Sequence, residues 1–301
     1  MTDPLAQVIE LLQPRTVFSK GISGAGRWGV RYSEFGQPGF CAVIEGSCRL
    51  FVDGEVPVTL EQGDFVLLPA TPAFTMSGFE PVTPRRIDPR ATPAPTEEVR
   101  HGRQDGPVDV RLLGGYFLFG SPDAALLVSL LPAMVHMRGV ERLSTLVRLV
   151  GEEASQQNAG RDLVLGRLVE ILLIEALRAS QAKGSPPGFL RGLADARVSG
   201  AIRQMHGDPQ RPWTVAELAG EAGLSRSAFF DRFTRTVGLR PMEYLLAWRM
   251  ALAKNLLGSK DIALDEVARQ VGYGSASTFS TAFSRHVGQS PGRYARSDRA
   301  R

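Results

Sequence analysis

The stretch "VAELAGEAGLSRSAFFDRFTRTVGLRPMEY", Val215 to Tyr244, decides the fold of the last third of this chain. Its plan returns as "LDEVARQVGYGSASTFSTAFSRHVGQSPGRY", Leu264 to Tyr294. Each copy reads as a short helix, a glycine turn and a second helix with phenylalanines four residues apart, which gives that helix one apolar stripe. A short helix that braces a second one is the helix-turn-helix plan, in which the second helix enters the DNA major groove.

An apolar helix, "YLLAWRMALAKNLLGS", joins the two copies and gives them a common support. The sequence therefore predicts an all-α domain over residues 194–301, with helix-turn-helix motifs at about 214–237 and 263–287. This segment holds 16 Lys and Arg against 10 Asp and Glu, whereas the remainder holds 19 against 21. A basic surplus on one domain favours a polyanionic partner such as double-stranded DNA.

The preceding 193 residues predict a β domain followed by helices. Short runs such as "WGVRYS", "FCAVIEG" and "DFVLLP" end at turn residues every 8–12 positions, which is typical of a sandwich or barrel over residues 1–120. Residues 81–107 carry six prolines and almost no large apolar side chain, so we expect a mobile loop there. A helical connector is predicted over 121–183, starting at Ser121-Pro122. Its apolar helix, Leu163 to Ala179, needs a partner surface and predicts a homodimer.

Composition excludes several classes of protein. The 301 residues exceed the usual size of one core, so more than one domain is expected. No apolar run approaches the ~18 residues of a membrane span, and the N-terminus has no basic leader, so we expect no membrane association and a cytoplasmic location. The two cysteines, Cys41 and Cys48, are too few for a disulfide framework. A hairpin loop at Glu45-Gly46 would place them about 7–8 Å apart on facing strands, which favours two buried thiols over a redox switch.

The tandem motif resembles the DNA-binding domain of the AraC/XylS family of bacterial transcription regulators over about a hundred residues. The leading region, from "LLQPRTVFSKG" through "GDFVLLPA" to "VRLLGGYF", resembles the cupin-type sensor domain of one subgroup of that family. The resemblance implies an α+β multidomain fold: an N-terminal cupin-like β-barrel (jelly roll), a helical connector and a C-terminal all-α tandem helix-turn-helix domain. It implies sequence-specific DNA binding, a small-molecule effector or partner for the barrel, and RNA polymerase as a further partner.

Helix geometry and the family motif together predict the DNA-contacting residues. Base contacts are expected at Ser227, Phe230, Asp231, Ser277, Ser280 and Thr281. Arg235 and Arg285 occupy equivalent places in the two copies and are assigned to phosphate. Asp231 and Thr281 stand where related sequences commonly have arginine, so the strongest guanine-reading side chain is missing from each helix.

Two rival functions are a cupin-type metalloenzyme and a barrel that binds only a protein. The four histidines, His101, His136, His206 and His286, leave the first hundred residues without imidazole, which makes a poor metal site. We therefore expect no enzyme activity, no catalytic residue, no metal and no cofactor. Ligand-binding residues are not readable. The aromatic side chains of the barrel are interpreted as core, any of which could line a ligand cavity: Trp28, Tyr32, Phe40 and Phe51.

Overall fold

The structure is a computed structural model that describes residues 3–12, 14–89, 98–119, 133–156, 158–179, 187–258 and 262–299. The chain divides into two units. The N-terminal unit comprises the described residues of 14–119 and 133–179, and the C-terminal unit comprises those of 3–12 and 187–299. No described helix is long and apolar enough to cross a membrane.

A curled β-sheet forms the N-terminal unit. Its strands run in the spatial order β7-β2-β6-β3-β9-β1-β8, with β4 and β5 also on β3, and β10 on β5. The strands are β1 (Pro14–Ala25), β2 (Gly29–Tyr32), β3 (Gly39–Val52), β4 (Val58–Glu61), β5 (Phe65–Leu68), β6 (Phe74–Ser77), β7 (Arg85–Ile87), β8 (Val99–Gly102), β9 (Val110–Phe119) and β10 (Val135–Met137). The first half of β3 pairs with β5 and β9 and its second half with β4 and β6, so one bent strand wraps the sheet around its core. The predicted cupin-like fold is confirmed.

The register of β3 against β9 shifts between Val43 and Glu45, which marks a β-bulge that is followed by Gly46. This residue has φ +73°, and a Cβ there would collide with the carbonyl oxygen of Asp109, so only glycine fits. The prediction of a hairpin loop at Glu45-Gly46 is wrong, because β3 continues through it. Cys41 and Cys48 therefore lie on one strand and not on two facing strands.

The predicted loop over 81–107 differs at both ends from the structure. Strand β7 pairs in parallel with β2, and β8 pairs in parallel with β1. Backbone pairing with β2 and β1 orders these ends, and Ile87 of β7 also packs against the core of the sheet. Residues 90–97 lie outside the described part of the chain.

Two of the predicted helices belong to the N-terminal unit. They are α2 (Glu141–Ser155) and α3 (Arg161–Ala179), which pack on each other and on β1. Helix α3 buries side chains such as Leu172, Leu173 and Leu177. The structure thus divides the chain differently from the predicted connector over 121–183, since residues 133–179 pack with the sheet. The predicted helix start at Ser121-Pro122 lies outside the described residues.

Helices alone form the described C-terminal unit. They are α1 (Pro4–Leu12), α4 (Phe189–Ala194), α5 (Val198–Gly207), α6 (Val215–Glu221), α7 (Arg226–Val237), α8 (Pro241–Gly258), α9 (Leu264–Gln270), α10 (Ala276–Val287) and α11 (Pro291–Arg299). Helix α1, which the sequence pattern placed in the sensor domain, packs instead on α5 and α8. Its apolar face supplies the reason, because Leu5, Val8, Ile9 and Leu12 are all buried there. The helix pairs α6–α7 and α9–α10 match the two predicted helix-turn-helix motifs.

Candidate nucleic-acid interface

Local sequence positions α7, the second helix of the first motif. The Ser225 hydroxyl accepts a hydrogen bond from the backbone N–H of Ala228 at 3.3 Å and so caps the start of the helix. Gly223 supplies φ +62° in the turn before it, and Gly238 ends it at φ +83°. Residues that are close in sequence therefore determine where α7 starts, where it ends and how the turn before it runs.

Helix α10 of the second motif is built in the same way. Ser275 accepts from the backbone N–H of Thr278 at 3.2 Å, the turn has Gly272 at φ +80°, and Gly288 ends the helix at φ +81°. The two repeats of the sequence are therefore repeats in three dimensions.

The inner faces of the two helices also match. Phe229 and Phe233 lie 5.6 Å apart between ring centroids at 55°, and Phe279 and Phe283 lie 5.5 Å apart at the same angle. All four rings are fully buried. Each pair packs on a tyrosine that follows a helix-starting proline, so both second helices are held rigidly with one face outward.

The outer faces carry the residues that we predicted to contact DNA. All are exposed apart from Ser280, which is half-buried, and Phe230 exposes 37 % of its surface. The exposed set is Ser227, Phe230, Asp231 and Arg235 on α7, and Ser277, Thr281 and Arg285 on α10. The Thr281 hydroxyl donates to the carbonyl of Ser277 at 3.1 Å, so its oxygen lone pairs and its methyl group face outward.

Ion pairing separates the arginines of the first motif into two groups. Arg232 pairs with Asp195 at 2.9 Å, which raises the pKa of Arg232 through the hydrogen bond to that carboxylate and commits it to the protein. Arg235 forms no ion pair with another described residue, and the same holds for Arg285. Arg226, at the first position of α7, is also exposed and without such a pair. The apolar stripe of α7 does not predict the exposure of Arg226, because that stripe phases the body of a helix and not its first turn.

The N-terminal unit contains an apolar cavity of about 170 Å³ in its curled sheet, and the cavity is partly open to solvent. Of the four barrel aromatics, Tyr32 and Phe40 line it, Trp28 is buried in the core, and Phe51 points outward with 36 % of its surface exposed. The interpretation of Phe51 as core is wrong, because its side of β3 is the outer one at that position. Among the described residues of the lining, Lys20 is the one that carries a charge.

The two histidines of the N-terminal unit are used in packing and pairing. His101 stacks on Trp28 with ring centroids 6.1 Å apart, and burial lowers its pKa, helped by the charges of Lys20 and Arg85. His136 contacts the buried carboxylate of Asp64 at 2.9 Å. Within the described ranges, no group of three or more His, Cys, Asp or Glu side chains is arranged to hold a metal ion.

Known proteins resemble both units. A family model for a cupin matches residues 3–182, and one for a helix-turn-helix domain matches residues 218–297. An AraC-like transcription regulator of Streptomyces lividans is 37 % identical, covering 97 % of each chain. Another, from Streptomyces antibioticus, is 37 % identical over 97 % of this chain and 98 % of its own. The HTH-type transcriptional regulator AlkR of Acinetobacter baylyi is 35 % identical over 58 % of each chain.

Proposed function

Because this chain belongs to the AraC-like transcription regulators, with an N-terminal cupin domain and a C-terminal helix-turn-helix domain, we propose that α7 and α10 are its two DNA-reading helices. The observation that carries the proposal is the matched geometry of the two motifs. Each exposes one polar helix face, and each is fixed by the same cap, turn and phenylalanine pair. Two rigid outer faces on one unit suit successive major grooves.

We assign two kinds of contact to these faces. Base contacts are assigned to Ser227, Phe230, Asp231, Ser277, Ser280 and Thr281. Phosphate contacts are assigned to Arg235, Arg285 and, from its exposure, Arg226. Without an arginine at 231 or 281, discrimination depends on hydroxyl hydrogen bonds, on contact of the Phe230 ring with thymine methyl groups, and on DNA shape.

Footprinting of the full chain on genomic fragments tests the two-groove arrangement. Grooves on one face of B-DNA repeat every 34 Å or so, so we expect two protected clusters about 10 bp apart. A single cluster would mean that one motif only supports the other.

Asp231→Arg tests the phasing of α7. It adds a positive guanine-reading group, so we expect tighter non-specific binding and a new guanine preference within one cluster. Glu10→Arg makes the same change of charge on the exposed surface of α1 and serves as the control. If the two variants behave alike, residue 231 does not face DNA.

We propose that the cupin domain is a sensor and not a catalyst. It has an apolar cavity, and its two described histidines are engaged in a ring stack and a hydrogen bond to Asp64. A sensor should retain its effector through gentle purification, so native mass spectrometry of the chain from its own host should show a bound small molecule. Turnover of such a molecule by the purified chain would contradict the sensor role.

We also propose a homodimer formed through the α2–α3 helices. Helix α3 leaves Leu163 69 % exposed, with Val164 and Ile171 also exposed and one heptad apart, hence on one face. Sedimentation should show a dimer for the wild-type chain. Ile171→Glu places a charge on this apolar face, so its dimer should dissociate more readily. A wild-type chain that stays monomeric at high concentration would refute the proposal.

Since the partner is chromosomal DNA, we assign the protein to the cytoplasm.

A further inference from the structure

The cavity of the N-terminal unit restricts the ligand that it can hold, an inference that rests on the proposed sensor role. Its volume of about 170 Å³ is close to that of an engineered cavity of about 150 Å³ that stays dry and binds benzene. The walls are apolar, with Ile22, Leu50, Val66 and Leu68 among them. A molecule with one ring, or a short chain of similar volume, fits this space.

The polar groups of the lining are few, and most are already engaged or neutral. The Thr71 hydroxyl hydrogen bonds to the backbone carbonyls of Gln37 and Leu68, so its proton is taken. Burial raises the pKa of Tyr32 to about 12 and raises that of the Cys41 thiol further, so both stay protonated. Besides Lys20, the described side chains of the lining offer the hydroxyls of Tyr32, Thr71 and Tyr116 and the Cys41 thiol, which are fewer hydrogen-bonding groups than the hydroxyls of a sugar require.

Lys20 is the exception. It lies on β1 opposite Gly114 of β9, and both residues line the cavity. Burial lowers the pKa of its ammonium, and no carboxylate among the described residues lies within ion-pair distance of it. A half-buried cation beside apolar walls is poorly solvated, and an anionic group of a ligand would compensate it. A cationic ligand would be repelled.

We propose that this cavity binds a compact apolar carboxylate, with the ring or chain among the apolar walls and the carboxylate paired to the Lys20 ammonium. Burial of the apolar part of the ligand provides affinity, and the charge of Lys20 makes the cavity prefer a carboxylate to an uncharged molecule of the same shape.

Calorimetric titration of the full chain tests the proposal with three acids and their uncharged amides: benzoate, phenylacetate and hexanoate against benzamide, phenylacetamide and hexanamide. At pH 7.5 at least one acid should bind tenfold or more tightly than its own amide. Absence of binding by all three acids, or equal binding of acid and amide, would overturn the proposal.

Three variants locate the contact. Lys20→Met removes the charge at similar length and should abolish the preference for acid, while Lys20→Arg should keep it. Cys41→Phe places a ring in the cavity and should weaken binding of acid and amide alike. A Lys20→Met protein that still prefers the acid would overturn the proposal.

The footprint on DNA separates this inference from the proposed function. If the full chain gives its footprint but no acid is preferred, the ligand class is wrong and the regulator stands. A sugar, a cation or a peptide found in the cavity by native mass spectrometry would likewise overturn the carboxylate while leaving the sensor role intact.

Discussion

Acidification should destabilise the C-terminal unit through one buried histidine. His206 on α5 is 1 % exposed, and its ring lies 3.8 Å from the ring of Trp248 between centroids. Its Nδ1 donates to Oε1 of Gln7 at 3.1 Å, and its Nε2 accepts from the Tyr244 hydroxyl at 2.7 Å. In that direction the second bond requires the neutral ring, and burial lowers the pKa of His206 to about 3.

The sign and size of the effect follow from this shift. An unfolded histidine has a pKa of about 6.5, so between that pH and about 3 the unfolded chain binds a proton that the folded chain excludes. The stability that the neutral ring supports is therefore present above pH 6.5 and is lost as the pH falls. The loss approaches about 1.4 kcal/mol per pH unit, which amounts to about 2 kcal/mol between pH 7.5 and pH 5.

Urea unfolding at the two pH values measures this loss. After equilibration in urea at each pH, a short hydrogen-exchange pulse at one common pH labels the unfolded chains. Mass spectrometry of peptides from α5 and α8 then reports the unfolding of the C-terminal unit alone. His206→Gln cannot titrate, so its free energy of unfolding should fall by about 2 kcal/mol less than that of the wild type between the two pH values. His286→Gln, on the exposed surface of α10, is the matched control for the loss of a histidine side chain. Coincident pH dependences of wild type and His206→Gln would refute the reasoning.

Three further outcomes are expected. Arg235→Ala and Arg285→Ala should each lower the slope of log affinity for DNA against log salt concentration by about one unit without changing base preference. Arg178→Ala in the N-terminal unit should leave this slope unchanged. A changed base preference would mean that the arginine contacts a base and not a phosphate. Burial raises the pKa of both thiols, that of Cys48 to about 12, so at pH 8 a thiol-disulfide reagent should label Cys41 and Cys48 slowly in the folded chain and fast in denaturant; rapid labelling of the folded chain would contradict this. Chelation followed by elemental analysis should find no stoichiometric zinc, iron or manganese and no loss of DNA binding, and one metal per chain would revive the metalloenzyme.

The sequence by itself determined the two helix-turn-helix motifs. Their signals are short-range: a serine that caps the next turn, a glycine that tolerates positive φ, and phenylalanines one helical turn apart. Ser225 and Gly223 act on neighbours within three residues, so the same letters give the same structure in both copies. The outward faces followed from the inward stripe, which is why the predicted contact residues other than Ser280 are exposed. The sequence did not identify Arg226 as a contact residue, because the apolar stripe does not predict which side chains are exposed in the first turn of a helix.

Only the tertiary structure decided the course of β3, the place of α1 and the lining of the cavity. Turn chemistry at Glu45-Gly46 fits a hairpin loop as well as a continuous strand, and the pairing of both residues with the neighbouring strand β9 keeps the strand continuous. The apolar face of α1 fits any apolar surface, and contacts with His206 and its neighbours, some two hundred residues away, select the C-terminal unit. Lys20 reads as an ordinary surface lysine until strand pairing places it opposite Gly114. In each case, contacts between residues that are distant in the sequence decide the structure, and a pattern of neighbouring residues carries no information about such contacts.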